Sequence, residues 1–374
     1  MGVPLNDLNR TTEPLYAELL AAMDQVMRSG RWISGPAVDV FEKEFADSLG
    51  VRCAVGVSSG TDALLAVLMG LNIAPGDEVI TTPFTFIATA EVIFRMGARP
   101  VFVDIEPGSF NIDPNAVFDA VTSRTKLILP VHLFGRCADM TRLLQIGETS
   151  GVPVVEDSAQ SVFAKDESGR MAGTMGIAGC FSFFPAKNLG AMGDAGGIVT
   201  NDVSLDKKLR SIRVHGSVAR YAHDRVGGNF RLDSLQAAIL SVKLPYLSEW
   251  TRQRRDNGAR YREYFAAANL EDKVQLPLAG PGEDVVNQFT IRVPNRDTLR
   301  AYLSSVGIET AVYYPTPLHL QPCFVSLGYQ RGEFPVAEKA AEEVLALPVF
   351  PGITAAEQTE VVEQIAAFFR EQNP

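Results

Sequence analysis

The sequence predicts an α/β protein in which a large domain with a mostly parallel β-sheet is followed by a smaller α+β domain. Short apolar segments alternate with segments of helical spacing as far as about residue 202, which is typical of parallel sheets covered by helices. A long, charged, helix-rich stretch follows at 231–262, and beyond it the pattern is strand–helix–strand and then two helices. We therefore place the large domain at 1–245 and the small domain at 246–374, with the opening residues, to about residue 12, packing on the small domain.

Two amphipathic helices are predicted to open the chain, at 13–28 and 37–49. In the first, Leu15, Leu19 and Met23 lie on one apolar face, and Gly30 is placed to end the helix. The strands of the large sheet are predicted at 53–57, 78–82, 99–104, 126–133, 152–156, 179–184 and 197–200. The helices between them are predicted at 61–69, 88–96, 114–121 and 140–149. In the small domain the pattern predicts strands at 287–293 and 309–314, and helices at 298–306, 335–346 and 355–371.

The composition argues against several classes of protein. The chain has 34 basic and 44 acidic residues and a net charge of −10, without a basic cluster, so nucleic acid and anionic membranes are not expected partners. No apolar run reaches membrane-spanning length, and the first residues lack the pattern of a signal peptide. The four cysteines and four histidines are scattered, which argues against a metal site and favours a reduced, cytoplasmic protein.

Lys187 is the residue that best indicates the chemistry. It follows an apolar segment at 180–184 and a break at Pro185, and a glycine-rich turn comes next. This pattern predicts a strand that ends in a loop with one amine at its tip. A lysine on an apolar rim is partly desolvated, which lowers its pKa and makes it a nucleophile toward aldehydes. The alternative is an exposed loop lysine, which is the ordinary state of this residue.

A second indication of function is an acidic residue at the end of a buried strand. The apolar segment at 152–156 leads into Asp157, with Gln160 three residues later. Ligands of α/β proteins bind at the carboxyl ends of such strands. A carboxylate there could hold a protonated ring nitrogen, which a pyridoxal cofactor needs in order to act as an electron sink. An aspartate that caps a helix is the alternative interpretation.

The segment at 55–63 predicts a strand, a tight turn and the start of a helix. Backbone N–H groups at a helix N-terminus bind phosphate, Gly60 permits a close approach, and Thr61 can add a hydroxyl donor. An ordinary turn with a serine or threonine as N-cap fits the same residues. Farther along, Phe86 could stack on a flat ring, although core packing is the commoner role of a single phenylalanine.

Two later segments bring further polar side chains. At 227–238, Asn229 and Arg231 precede a predicted helix and could reach an anion, including one across a subunit interface. At 312–319, prolines fix an extended loop with Tyr314 and His319 near its ends. Taken singly, each of these residues is more often a solvated or packing group than a ligand.

Together, the order and spacing of these motifs resemble the DegT/DnrJ/EryC1/StrS family of sugar aminotransferases. The motifs are, in order, SGTDAL, PFTFIATA, VEDSAQ, SFFPAKNLG with GDAGG, GGNFRLDSLQAA and YYPTPLHLQP. The resemblance extends from the opening Pro4 to LPVFPGIT at 347–354, which is nearly the whole chain. It implies the type I aspartate-aminotransferase fold, pyridoxal 5′-phosphate (PLP) as cofactor, and a homodimer with active sites at its interface.

The resemblance also implies roles for individual residues. Lys187 matches the lysine that binds PLP covalently and moves the proton, and Asp157 matches the acid paired with the pyridine nitrogen. The other implied cofactor contacts are Gln160 near the ring 3-hydroxyl, Phe86 on the ring, Gly60, Thr61 and Ser182 around the phosphate, and Asn229 at the phosphate of the neighbouring subunit. The implied amino donor is L-glutamate, and the acceptor is a keto sugar linked to a nucleoside diphosphate.

The pattern is most similar to members that aminate carbon 3 of a UDP- or dTDP-linked 3-keto sugar, including UDP-2-acetamido-3-keto-glucuronate for O-antigen and lipopolysaccharide synthesis. Arg231 matches an arginine that can pair with the sugar carboxylate. The implied substrate contacts also include Tyr313, Tyr314 and His319. Tyr313 stands where those enzymes have histidine, and His319 where they have asparagine. These departures leave the sugar and the nucleotide open.

Three alternatives to an aminotransferase are considered. A PLP-dependent sugar dehydratase of the same family would carry histidine in place of Lys187. A regulatory protein could use the fold and bind PLP without turnover. A nucleotide-binding module without PLP would be expected to carry a dinucleotide-binding glycine motif or a P-loop, and the sequence contains neither.

Overall fold

A seven-stranded sheet organises the larger part of the structure, a computed structural model that describes residues 2–372. Its strands are β1 (Cys53–Val57), β2 (Glu78–Thr81), β3 (Arg99–Phe102), β4 (Thr125–Ile128), β5 (Val155–Asp157), β6 (Ala178–Ser182) and β7 (Gly196–Thr200). The strand order is β3-β2-β4 in one half and β5-β6-β7-β1 in the other. Parallel bridges from Ile128 to Val154 and from Val131 to Asp157 join the halves. Only β7 runs antiparallel to its neighbours, so the predicted mostly parallel sheet is confirmed.

Helices follow or cover most of these strands. They are α1 (Asn9–Thr12), α2 (Tyr16–Ser29), α3 (Pro36–Leu49), α4 (Gly60–Gly70), α5 (Ala88–Arg95), α6 (Pro114–Ala120), α7 (Met140–Ser150), α8 (Val203–Ile212), α9 (Ser234–Lys243), α10 (Leu247–Ala267), α11 (Arg296–Ser305), α12 (Pro335–Glu343) and α13 (Ala355–Gln372). Short 3₁₀ turns lie at Glu13–Leu15, Leu133–Gly135, Leu244–Tyr246, Leu318–Leu320 and Pro322–Leu327. Within residues 2–372, no helix combines the length and the apolar character needed to cross a membrane.

The sheet is buried on both faces because helices cover it. All four residues of β2 and all five of β7 are buried. Helix α4 packs on β6 and β7, while α3 and α8 pack on β1. A strand buried on both sides typically reads as an apolar run without alternation, as the middle of both β2 and β7 does. The buried polar side chains of β2, Glu78 and Thr81, are hydrogen-bonded. The carboxyl ends of the parallel strands meet at one edge, and this edge carries the candidate site.

A smaller unit follows the long helix α10. Its sheet pairs β10 (Phe289–Arg292) antiparallel with β11 (Val344–Leu347), and α10, α11 and α13 pack around it. The N-terminal segment contacts this unit: Val3 forms a parallel bridge with Ile308, and Arg10 pairs with Glu357 at 2.5 Å. A hairpin of β8 (Ser217–Ala219) and β9 (Ala222–His223) projects from the larger unit, before α9. The domain boundary at 245/246 stays a prediction, and α10 begins at Leu247.

Two predictions about the smaller unit are wrong. The helix predicted at 335–346 ends at Glu343, and the strand β11 follows directly. The strand predicted at 309–314 is only an isolated bridge between Ala311 and Ala346. The short apolar run of β11 has no polar face, so periodicity alone cannot distinguish a buried strand from the end of a helix. The prolines that follow Tyr314 prevent the earlier segment from continuing a ladder.

Candidate functional site

A cavity of about 620 Å³ opens at the edge of the large sheet where β1, β2, β4, β5 and β6 end. The antiparallel strand β7 begins at the same edge, directly after Asp194 and Ala195. The predicted site residues that line it are Gly60, Thr61, Phe86, Asp157, Gln160, Ser182, Lys187, Tyr313 and Tyr314. Three other predicted residues, Asn229, Arg231 and His319, do not line it.

Lys187 follows β6 in a turn in which its backbone N–H donates to the Phe184 carbonyl at 2.8 Å. The side chain is partly accessible from the cavity, and within residues 2–372 its amine makes no hydrogen bond. Burial lowers the pKa of Lys187 to about 8, and the Asp157 carboxylate partly opposes that shift. The lysine is therefore an amine poised to react rather than one held in an ion pair.

Asp157 ends β5 and is only 4% exposed. One of its oxygens, Oδ2, accepts a hydrogen bond from the Thr89 hydroxyl at 2.8 Å, and Oδ1 accepts one from the Ala159 N–H at 3.2 Å. Burial raises the pKa of Asp157, while these two donors and Lys187 act in the opposite direction. A buried carboxylate held by two donors keeps a fixed position, and a cationic partner would stabilise its charge.

Thr89 is a contact of Asp157 that the sequence analysis did not single out. It lies in α5 one turn after Thr85, and the two hydroxyl oxygens are 3.4 Å apart. Both threonines are buried and both line the cavity. Thr85 lies in the bend before α5 and Thr89 in its first turn, so the signal that could have identified them is the pair of threonines in PFTFIATA directly after the carboxyl end of β2.

Gln160 is held between the two units of the chain. Its Oε1 accepts a hydrogen bond from the Phe134 N–H at 2.7 Å, and its Nε2 donates to the Tyr314 hydroxyl at 3.2 Å. Burial raises the pKa of Tyr314 well above its usual range, so the phenol stays neutral. Tyr314 also lies near the exposed ring of Phe86, with ring centroids 6.2 Å apart. Phe86 and Tyr314 thus give the cavity aromatic surface.

The start of α4 and the end of β6 form a candidate anion-binding cradle. Ser59 caps the helix by accepting a hydrogen bond from the Asp62 N–H at 3.0 Å, and Thr61 and Ser182 line the cavity beside it. A Cβ on Gly60 would come within 2.8 Å of the Ser182 Cβ, so only glycine permits this approach. Backbone N–H groups at the first turn of a helix, with nearby hydroxyls, are a phosphate-binding arrangement.

The three residues outside the cavity have different surroundings. Asn229 is exposed, and its backbone forms an isolated antiparallel β-bridge with Val214. Arg231 forms an isolated β-bridge of the same kind with Val57, and its buried Nε has no hydrogen-bond partner among the described residues. His319 is 2% exposed inside the smaller unit, where its Nε2 lies 3.0 Å from the Glu338 carboxylate. Burial lowers the pKa of His319, and Glu338 opposes the shift. The structure therefore does not bring His319 to the cavity of its own chain.

Comparison with known proteins identifies the family. The model of the DegT/DnrJ/EryC1/StrS aminotransferase family matches residues 15–366. The chain belongs to this family. It is 50% identical over 371 residues to a pleiotropic regulatory protein of Geobacillus stearothermophilus, with 99% of each chain covered. It is 42% identical to a UDP-N-acetyl-3-dehydro-alpha-D-glucosamine 3-aminotransferase of Acidithiobacillus ferrooxidans, with 99% and 97% covered. The crystal structure of S. venezuelae DesV in complex with a ketimine intermediate has a TM-score of 0.94, 40% identity and 98% coverage of each chain.

Members of the DegT/DnrJ/EryC1/StrS family are PLP-dependent aminotransferases, so the predictions of family, fold class, enzyme class and cofactor are confirmed. The residues that line the cavity fit PLP. A buried carboxylate at Asp157 suits a pyridinium, the Lys187 amine has no competing partner among the described residues, and the cradle at Gly60 suits a phosphate. Within residues 2–372, no cluster of three metal-ligating side chains occurs.

The lowered pKa of Lys187 predicts the pH dependence of cofactor uptake. Only the neutral amine attacks an aldehyde, and a pKa of about 8 means that the amine is mainly protonated below pH 8 and mainly neutral above it. The rate of PLP uptake by cofactor-free protein should rise about tenfold per pH unit up to about pH 8 and then level off. The growth of visible absorbance measures this rate. An increase that continues to about pH 10.4, the ordinary lysine value, would contradict the assigned environment.

Proposed function

We propose that this aminotransferase moves the amino group of L-glutamate to carbon 3 of a 3-keto hexose linked to UDP or dTDP. The observation that carries the proposal is the cavity in which Lys187 lies beside Asp157 and the anion cradle at Gly60. The Acidithiobacillus relative, named for a UDP-linked 3-dehydro sugar, supports carbon 3 and UDP. The product would be a precursor of polysaccharide, such as O-antigen in lipopolysaccharide, made in the cytoplasm.

The residues of the cavity would divide the chemistry among them. When bound, PLP supplies an electron sink for the negative charge that develops on the reacting carbon. Asp157 would hold the proton on the ring nitrogen. The Lys187 amine would take the proton from the α-carbon of glutamate and later deliver a proton to carbon 3 of the sugar. Gln160 would orient the ring from one edge, because its amide is itself fixed by Phe134 and Tyr314.

We further propose that two subunits share each active site. Asn229 and Arg231 lie outside the cavity of their own chain, just after the β8–β9 hairpin. The hairpin region exposes large apolar side chains, among them Tyr221 at 85% and Val226 at 82%. Exposed apolar groups beside unused polar ones are typical of a subunit interface. In a homodimer, Asn229 would reach the phosphate of the partner's cofactor and Arg231 the partner's sugar.

The test of the function is turnover on a defined panel. The PLP-bound enzyme is incubated with L-glutamate and with UDP- or dTDP-linked 3-keto and 4-keto sugars, and products are identified by mass spectrometry. Amination of 3-keto sugars in preference to 4-keto sugars supports the proposal.

The similarity to a protein named as a pleiotropic regulator favours a second candidate, a PLP-binding regulator. A regulator would bind PLP and sugar nucleotide without forming an amino sugar. A dehydratase would eliminate water and leave the glutamate unconsumed.

Arg231→Ala should discriminate between a uronate and a neutral sugar. A guanidinium that pairs with the sugar carboxylate contributes about 1.5–3 kcal/mol, so kcat/KM for UDP-2-acetamido-3-keto-glucuronate should fall by up to about 100-fold. The value for the corresponding neutral sugar should change little. Steady-state kinetics on both substrates measure the difference. Arg252→Ala is the matched control, because Arg252 is an exposed arginine paired with Glu249 on α10.

Equal losses on the two substrates would mean that Arg231 does not recognise the carboxylate.

Mixing inactive Lys187→Ala subunits with Arg231→Ala subunits tests whether the site is shared. In a shared site, a mixed dimer holds one centre with an intact lysine and a partner arginine, so activity on the uronate returns. If Arg231 acted in its own subunit, mixing would restore nothing.

A further inference from the structure

A second cavity lies on the other side of the loop that carries Lys187. It measures about 230 Å³ and is bounded by the N-terminal segment, by the loop from Pro185 to Met192, and by α9 and α10. Lys187 contributes to the linings of both cavities. We call this second space the N-terminal cavity. Neither the cofactor nor the sugar is assigned to it by the proposed function.

Two buried cations, Lys243 and Arg254, line the N-terminal cavity. Lys243, at the end of α9, is 6% exposed and donates to the Gly190 carbonyl at 2.8 Å. Arg254, in α10, is 3% exposed, and one of its terminal nitrogens donates to the carbonyls of Val286, Asn287 and Val349 at 3.0–3.3 Å. The Nε of Arg254 is buried and has no hydrogen-bond partner in the described part of the chain.

No carboxylate among residues 2–372 pairs with either cation. The acidic residue of the lining, Asp7, accepts hydrogen bonds from Arg10 at 3.1 Å and from the Asn9 N–H at 3.0 Å instead. Burial alone lowers the pKa of Lys243, and it lowers the pKa of Arg254 to about 10, so the arginine stays charged at neutral pH. The carbonyls satisfy hydrogen-bond donors but do not neutralise the charge. Buried charges in proteins are paired almost without exception, because an unpaired buried ion is costly.

We propose that the N-terminal cavity binds a small anion, either an inorganic ion such as chloride or a small carboxylate, between Lys243 and Arg254. The N–H groups of Lys243 that the Gly190 carbonyl does not use would provide its donors, and the Arg254 guanidinium would provide a second positive charge. Because Lys243 also holds the Gly190 carbonyl, a bound anion stabilises the loop that presents Lys187. The site thus links the N-terminal segment and the catalytic loop through one ion.

Chloride binding to the PLP-bound enzyme tests the proposal. The NMR line of chloride broadens when the ion exchanges between free solution and a site on a protein. We expect excess broadening for the wild-type enzyme and its loss in Lys243→Gln, since glutamine can still donate to Gly190 but carries no charge. Lys207→Gln is the control, because Lys207 is an exposed lysine on α8 that does not line the cavity. It should keep the wild-type broadening.

Adding sodium acetate, a carboxylate that cannot donate an amino group, distinguishes the two sources of the anion. Loss of the Lys243-dependent broadening at low acetate concentration identifies a carboxylate as the preferred occupant, and persistence identifies an inorganic ion. Equal broadening in the wild type and in Lys243→Gln would overturn the proposal. If Lys243→Gln does not fold, bromide-soaked crystals of the wild-type enzyme decide the question. An anomalous peak between Lys243 and Arg254 supports the site, and its absence rejects it. Neither result depends on the identity of the sugar.

Discussion

Lys187→Ala is expected to abolish amino transfer, with a loss in kcat of about 10⁴-fold or more, because a positioned acid–base group contributes up to about this factor. Among residues 2–372, no lysine other than Lys187 lines the cavity. The neighbouring phenols cannot replace it, since burial raises the pKa of both Tyr313 and Tyr314. The variant should also lack the visible absorbance of covalently bound PLP. Product formation is measured by mass spectrometry, and absorbance is measured on the same sample.

The control for this substitution is Lys126→Ala, which removes an exposed lysine on β4. It should retain both activity and absorbance. A small amine such as methylamine should partly restore turnover to Lys187→Ala, because it can enter the space left by the side chain and move the proton in its place. Undiminished turnover in Lys187→Ala without added amine would remove the lysine from its proposed role.

The sequence predicted the large sheet well because its strands are short, mainly apolar runs, most of them separated by helices. The strands β2 and β7 are buried along their whole length, and β4 exposes only Lys126, so the composition of these strands signals their position directly. The small unit was harder to predict. Its strand β11 continues directly from α12, and only pairing with β10, about 50 residues earlier, makes it a strand. Tertiary pairing of this kind leaves no local pattern in the sequence.

The placement of a side chain at the cavity was predictable from the sequence where the residue stands at the end of a strand. It was less predictable where the placement depends on the tertiary contacts of the side chain. Asp157 ends a strand and Lys187 follows one, so the topology alone brings both to the same edge of the sheet. Thr89 was not predicted because a threonine within a helix is usually a packing residue. The role of His319 at the substrate stays a prediction. In the structure its ring lies against Phe334 and its Nε2 is hydrogen-bonded to Glu338, and sequence separation does not reveal these contacts.

Asp157→Asn is expected to lower kcat by about 10²–10³-fold, comparable to the loss of one stabilising group at a developing charge, while PLP still binds. Asparagine keeps the shape of the side chain and can still accept a hydrogen bond from Thr89. It cannot hold a proton on the ring nitrogen, so the cofactor would be a weaker electron sink. Kinetics with L-glutamate and the keto sugar measure the loss, and visible absorbance reports the bound PLP.

The strongest test of this role uses a PLP analogue that is methylated on the ring nitrogen and therefore carries a permanent positive charge. If Asp157 acts by holding a proton there, the analogue should restore part of the activity to Asp157→Asn. Asp113→Asn is the control, because Asp113 caps α6 and asparagine caps a helix equally well. Removing the buried Asp157 charge should leave the melting temperature of cofactor-free protein unchanged or raised, since burial disfavours the carboxylate there. A variant that melts earlier and gains nothing from the analogue would instead make Asp157 a structural residue.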